Sequence, residues 1–414
     1  MSEECFALLP RDGLSVKDGR GWYTSEVGRG YSHPWPLPTT VRGALRAAWG
    51  QDLMSNQPGV RLTPEAWERR SASLALTGFV ALRRDLGETS FTPSHRMWPA
   101  PADAVVVAGK DGEPARVERL RPWWPDSEGV ITSLGPDEDR AREALWHPRP
   151  DHERRMGKPS GDAPAFWSEA DMVAWLMRKD IAAPATPGPG HRTDAHVAIA
   201  PDKQTAEDTM LHSRQVVELL RLEKREGAAA RVAVEWALGV RCRQPEGEAV
   251  TGFPSGVLGL GGRRRLTEVD RSTVDLFACP EDFQPEPSMG LKLVLATPAS
   301  FERGWLPDGF ACAEGGEPEY VGTLPGVEGR VVLRAALVPR AQDVSAWDMV
   351  KRQPRAARRW VPAGSVYFFE KVGGGRFTTV ELRALWLASW GGGRDEALGQ
   401  VLPGVWELPP ECGA

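Results

Sequence analysis

Residues 10–50 read PRDGLSVKDGRGWYTSEVGRGYSHPWPLPTTVRGALRAAWG, and the fold is decided inside them. Ahead of them lies the short apolar run Cys5 to Leu9, which predicts a buried strand. Asp12-Gly13 and Asp18-Gly19 punctuate the loop that follows, because Asp-Gly pairs form turns cheaply. His33-Pro34-Trp35-Pro36-Leu37-Pro38 excludes helix, since each proline fixes φ and removes a donor. Thr39 or Thr40 is then expected to cap a helix opening at Val41, with Val41, Ala44, Leu45, Ala48 and Trp49 on its buried face. Arg42 and Arg46, four apart, share another face. A helix start with unpaired N–H groups beside Lys17, Arg20, Arg42 and Arg46 makes a seat for phosphate.

Outward from this stretch, residues 63–71 predict a short helix and 72–84 a strand, with 104–108 entering a hairpin over Lys110-Asp111-Gly112. From Pro114 to Gly190 the texture changes to Pro, Trp and charge, as in Arg121-Pro122-Trp123-Trp124-Pro125. Only Ser168 to Lys179 looks helical there, with Ser168 as cap. This reads as an insertion that offers a surface to a neighbouring subunit. Residues 213–222 and 229–240 predict two strands around Lys224-Arg225-Glu226-Gly227. The second half repeats the pattern, with strands at 263–269, 290–297, 329–338 and 365–370, a short helix at 299–304 and a longer one at 378–390. The sum is α+β with antiparallel sheets.

Net charge is −5 over 414 residues, so the chain is no globally basic nucleic-acid binder, and any nucleic-acid contact must come from local clusters. Seventeen Trp against four Tyr give scope for stacking, although most aromatics bury area. Five scattered cysteines without a C-x-x-C pair argue for a reducing cytoplasm and against structural zinc. No apolar run approaches the roughly 18 residues of a membrane helix, and no membrane partner is expected.

The sharpest local feature is Gly256-Val257-Leu258-Gly259-Leu260-Gly261-Gly262-Arg263-Arg264-Arg265. Gly259, Gly261 and Gly262 permit close backbone approach, and Arg263, Arg264 and Arg265 suit a phosphodiester chain. It is neither a P-loop nor a dinucleotide fingerprint. A second cationic cluster, Lys351, Arg352, Arg355, Arg358 and Arg359, would position a backbone without reading bases. His191, Asp194 and His196 form H-x-x-D-x-H, but lack the helical spacing or cysteines of a zinc site. His196 or His33 is a chemically possible base for RNA cleavage. Asp12 and Asp18 each precede glycine and are explained by turns. No metal, cofactor or catalytic residue is expected.

The order strand, P-R-D, D-G-R, proline-rich turn and T-T-V-R-G-A-L-R resembles the start of the RAMP superfamily, and above all subunit three of the CRISPR type III-B (Cmr) effector complex. TDAHVAIAPDKQTAED at 193–208, GVLGLGGRRR at 256–265, LATPASFERGWLP at 295–307 and VPAGSVYFFE at 361–370 continue the resemblance in order, with residues 100–190 matching least. It implies two ferredoxin-like (RRM-like, βαββαβ) domains, 1–230 with a loop-rich insertion around 110–190, and 231–414. It further implies a non-catalytic, cytoplasmic RNA-binding subunit. That subunit would cap the 5′ handle of the crRNA and join a large polymerase/cyclase-like subunit to the RAMP backbone, meeting target RNA only indirectly. The RNA-binding set is then Lys17, Arg20, Thr39, Thr40, Arg42, Arg46, the Gly259 to Arg265 loop, Lys351 and Arg352. Trp22, Tyr23, Tyr31 and Trp35 are the base-stacking candidates. The alternatives are a RAMP endoribonuclease that processes pre-crRNA, the equivalent type III-A subunit, and a protein scaffold whose neighbours hold the RNA.

Overall fold

The structure is a computed structural model and describes residues 3–18, 29–57, 59–109, 114–123, 144–151, 157–224, 230–313 and 319–410. Strand β1 (Glu3–Pro10) alternates its faces, as the pleat requires: Phe6 and Leu8 point one way, Ala7 and Leu9 the other. Helix α1 (Pro38–Asn56) lies on the first of these faces through Val41, Leu45, Trp49 and Leu53, all at most 1% exposed. Helix α2 (Pro64–Arg70) follows, capped by Thr63, whose hydroxyl accepts from the Ala66 N–H. Then come β2 (Ala75–Asp85), β3 (Arg96–Pro99), β4 (Phe166–Ser168) and helix α3 (Glu169–Leu176). A hairpin of β5 (Gly190–Ile199) and β6 (Ala206–Glu218) precedes β7 (Arg231–Arg243), β8 (Val257–Leu260) and β9 (Arg265–Arg271).

The first sheet runs β8-β9-β1-β7-β2-β3-β4, with Leu220–Lys224 beside β7, and every pairing is antiparallel. Its central four strands, β9-β1-β7-β2, stand in the spatial order fourth, first, third, second. A second antiparallel sheet is built on β10 (Gly290–Leu295), β11 (Val331–Leu337), β12 (Val366–Lys371), helix α4 (Thr379–Ala384) and β13 (Val401–Trp406). Its strands β11-β12-β10-β13 repeat the same order, continued at one edge by Tyr320–Gly322 and Ala311–Cys312.

The two sheets face one another. Ala7, Leu9 and Val80 from the first meet Val294, Val366, Phe368 and Leu402 from the second in one apolar layer. Leu291, Leu293, Tyr367 and Phe369 turn to the far side, against Leu382 and Leu385 of the α4 segment. Between the sheets sits α3, started by Ser168, whose hydroxyl accepts from the Asp171 N–H at 3.2 Å. Its Met172, Val173, Trp175 and Leu176 are at most 2% exposed.

Several expectations change. Neither Thr39 nor Thr40 caps α1: Leu37 occupies that position without a side-chain bond, and Pro38 begins the helix. A cap contributes about 1 kcal/mol, whereas each fully buried apolar residue on the inner face contributes about 1.5–3 kcal/mol, so packing holds α1. The Ser168 helix turns its apolar face inward, and that face and Trp167 are core. Residues 213–222 are not one strand; Leu219, buried, separates β6 from Leu220–Lys224. No helix forms at 299–304, and the helix expected over 378–390 stops at Ala384. Strands β7, β8 and β9 lie beyond residue 230 yet complete the first sheet. Among the described residues no helix is long and apolar enough to cross a membrane.

Candidate nucleic-acid interface

Segments from both halves of the chain meet in one open groove of about 840 Å³. Its floor is a small apolar cluster, Val16, Leu37, Val344, Trp360 and Leu398, which ties the N-terminal loop and the start of α1 to an arm formed by residues 342–360. The N-terminal loop is held locally: His33 N–H donates to Val16 O at 2.8 Å, and Val16 N–H to Ser32 Oγ at 2.9 Å. The first turn of α1 contributes Thr39, Thr40 and Gly43, and β6 contributes His212 and Arg214.

The glycine-rich run forms the tight connection from β8 to β9. Gly262 N–H donates to Ser15 O at 2.9 Å, and a Cβ on Gly261 or Gly262 would stand 3.2 Å from that same oxygen. A side chain there would be crowded by this approach. Gly261 (φ +66°), Arg263 (φ +64°) and Arg264 (φ +47°) are all left-handed, which costs a non-glycine residue roughly 1–2 kcal/mol. Two arginines are thereby held at the groove in a conformation that a looser loop would abandon.

Eight cationic side chains line the groove against the carboxylates of Glu68 and Glu396, on a chain whose net charge is −5. They are not equivalent. Arg42 is buried, its guanidinium donating to Leu74 O (2.8 Å), Ala72 O (2.7 Å) and Glu396 (2.9 Å) while pairing with Asp395 at 2.8 Å. Its donors are thus engaged by protein groups, and it bonds α1 to the 395–396 turn. Arg46 donates to Ser71 Oγ at 3.0 Å, pairs with Glu68 at 3.2 Å and lies 4.5 Å over the Trp67 ring. Arg265 pairs with Asp12 and is not among the lining residues. Arg263 and Arg264 are exposed and have no ion-pair partner among the described residues. Burial holds the Lys17 ammonium below its ordinary pKa, with Asp18 opposing.

Tyr31, Thr39, Thr40, Lys17, Gly259, Gly261, Gly262, Arg263 and Arg264 are thus gathered into one place. Trp35 is not among the groove lining: half-buried, its ring meets Phe166 and Trp236 edge-on at 5.1 and 5.8 Å, packed against the core under α1. Lys351 and Arg352 stand at the end of the arm, outside the groove lining. Arg20, Trp22 and Tyr23 lie outside the described residues. Sequence reading missed His212 and Arg214, because a single His or Arg in an alternating strand carries no local signal. It also missed Trp347, which stands 56% exposed on the arm.

His196 pairs across the hairpin with His212, the rings stacked at 5.2 Å. Burial, then the charges of Arg263 and Arg214, push the His196 imidazole below its usual pKa. His191 falls on the opposite face of β5 from Asp194 and His196, so the three cannot converge. Asp194 instead accepts from Arg192 at 2.8 Å. Among the described residues no group of three His, Cys, Asp or Glu side chains is placed to hold a metal.

The model of the CRISPR-associated protein family Cas_Cmr3 matches residues 6–402. The chain belongs to that family. Cas_Cmr3 membership thus covers both sheets, the glycine-rich connection and the arm, and it agrees with the resemblance to subunit three of the type III-B complex. No curated relative matches. A chain in the Type III-B Cmr-beta complex bound to cognate target RNA and AMPPnP, state 1, is 12% identical with a TM-score of 0.39, over 88% of this chain and 86% of that one. One in the complex bound to cognate target RNA is 13% identical with a TM-score of 0.36 over the same shares. At such scores the likeness carries no weight, and membership rests on the family model alone.

Proposed function

We propose that this Cas_Cmr3 member is a non-catalytic, cytoplasmic RNA-binding subunit of a type III-B effector complex, and that the groove caps the 5′ handle of the crRNA. The observation that carries this is convergence. The start of a 19-residue helix, a glycine-tightened loop with two exposed arginines and a cationic arm all open into one groove on an otherwise acidic chain. Helix N-termini and backbone N–H groups favour phosphate, and loosely spaced cations position a backbone without reading sequence. In this reading the chain also joins the large polymerase/cyclase-like subunit to the RAMP backbone and meets target RNA only through them. Each sheet, with its fourth-first-third-second strand order, is a ferredoxin-like half that keeps one helix, α1 in the first and α4 in the second.

The test is RNA binding across a salt series. Each phosphate contact to single-stranded RNA contributes about 0.7 to the slope of log affinity against log salt. Arg263→Ala/Arg264→Ala should therefore flatten the slope by about 1.4. An unchanged slope and affinity would place the RNA elsewhere. One observation favours a second reading, a processing ribonuclease: His196 stacks on the groove-lining His212, and burial followed by the charges of Arg263 and Arg214 holds its imidazole below the usual pKa, where a general base could act. Cleavage of repeat RNA by the purified chain, abolished by His196→Ala, would establish it.

A further inference from the structure

The arm is a two-stage hairpin. Gln342–Val344 pairs with Arg358–Trp360 at its root, where Val344 and Trp360 are buried in the groove floor. Further out, Trp347–Asp348 pairs with Gln353–Pro354. Arg355 N–H donates to Ala346 O at 2.7 Å, and Ser345 Oγ–H to Arg355 O at 2.8 Å. The tip is closed by Asp348, whose carboxylate accepts from Val350 N–H and Lys351 N–H at 3.0 and 2.8 Å, and by Arg352 at φ +51°. Everything about this element fixes backbone geometry except its apolar side chains. Trp347 is 56% exposed, and Met349 is 46% exposed, both on the groove side.

An exposed indole is ordinarily a loss of burial, or half of a protein interface. Here it stands among Lys351, Arg352, Arg355, Arg358 and Arg359, with Asp343 and Asp348 as the arm's only carboxylates. It also lines the same groove as Arg263 and Arg264. An apolar protein partner would have to desolvate those cations, whereas single-stranded RNA supplies phosphates for them and an unstacked base for the ring. Resting on the RNA-binding reading above, we propose that Trp347 is the stacking platform of the groove. An unpaired nucleobase lies on its indole while Arg355 and Arg358 hold the adjoining phosphates, so the arm sets how many bases the groove accepts without selecting among them.

The probe is a short fluorescein-labelled single-stranded RNA of mixed sequence, together with the same backbone made abasic, titrated against the full chain. Base stacking on an aromatic is worth about 1–3 kcal/mol by alanine substitution. Trp347→Ala should therefore weaken the base-containing RNA about 5- to 140-fold with an unchanged salt slope. Trp347→Phe should recover most of that, and the abasic RNA should bind wild type and Trp347→Ala alike. If Trp347→Ala binds normally while Arg263→Ala/Arg264→Ala is weakened, the stacking inference is overturned and the groove stands. RNA binding intact but co-purification with the large subunit lost in Trp347→Ala would make the indole a protein contact and overturn it too. If wild type binds neither RNA, the underlying reading fails.

Discussion

Lys292 and Asp103 meet between the two sheets, at 1% and 0% exposure, with Nζ 2.6 Å from Oδ2. The other carboxylate oxygen accepts from Trp175 Nε1–H at 2.9 Å, and the ammonium stands 5.1 Å from the Trp175 ring centroid. Lys292→Met leaves the carboxylate buried with the Trp175 indole as its remaining donor among the described residues, a loss of about 3–5 kcal/mol for breaking a buried pair. Lys292→Met/Asp103→Leu removes both charges. Replacing a whole buried pair with apolar residues is neutral or stabilising by about 1–4 kcal/mol, and the orphaned indole N–H costs about 1–3 kcal/mol. The double variant should therefore unfold close to wild type in urea, followed by tryptophan fluorescence. The pair also fixes a pH dependence. Burial pushes the Lys292 ammonium down to about 8 from 10.5, with Asp103 opposing. Between these values the unfolded chain keeps a proton that the folded chain has released, so this pair's contribution to stability rises with pH across that window and is flat below it. Wild type minus double variant should show that rise. If the single and double variants lose equal stability, or the difference falls between pH 8 and 10, the pair is not the buried, coupled element described.

Three further outcomes follow from the groove. Gly261→Ala, at φ +66° with a Cβ 3.2 Å from Ser15 O, should cost roughly 1–2 kcal/mol in urea unfolding and weaken RNA binding by displacing the loop. Arg263→Gly/Arg264→Gly should be more stable than Arg263→Ala/Arg264→Ala, because glycine relieves the left-handed backbone while both lose the same charges; equal stabilities would deny the strain. Arg42→Ala should lower stability by a few kcal/mol, since it strips hydrogen bonds from Leu74 O, Ala72 O and Glu396, while the salt slope of RNA binding stays as in wild type.

Periodicity carried β1 and the buried face of α1 into the structure, and the Ser168 cap was legible too, because these are local choices among a few residues. The glycine-rich run was legible for the same reason, although half of it is strand β8 rather than turn. Arg42 shows where local reading stops. Spacing puts it on one face with Arg46, but what that face meets depends on Ala72, Leu74 and the 395–396 turn, more than 300 residues away in the last case. Trp167 was hidden by the proline-rich, charged composition around it, which describes the loops and not the strand that carries it. The groove itself was visible only as three separate cationic clusters. Their meeting depends on β9 pairing with β1 and on Trp360 seating beside Val16 and Leu37.

The most direct measurement is crosslinking of labelled handle RNA to the chain co-purified with the large subunit, wild type against Arg263→Ala/Arg264→Ala. Crosslinks to residues 256–265 and 17–46, lost in the variant while the pair stays assembled, are the predicted result. Crosslinks that persist in the variant, RNA that never touches this chain, or RNA that is cleaved would contradict handle capping by this groove.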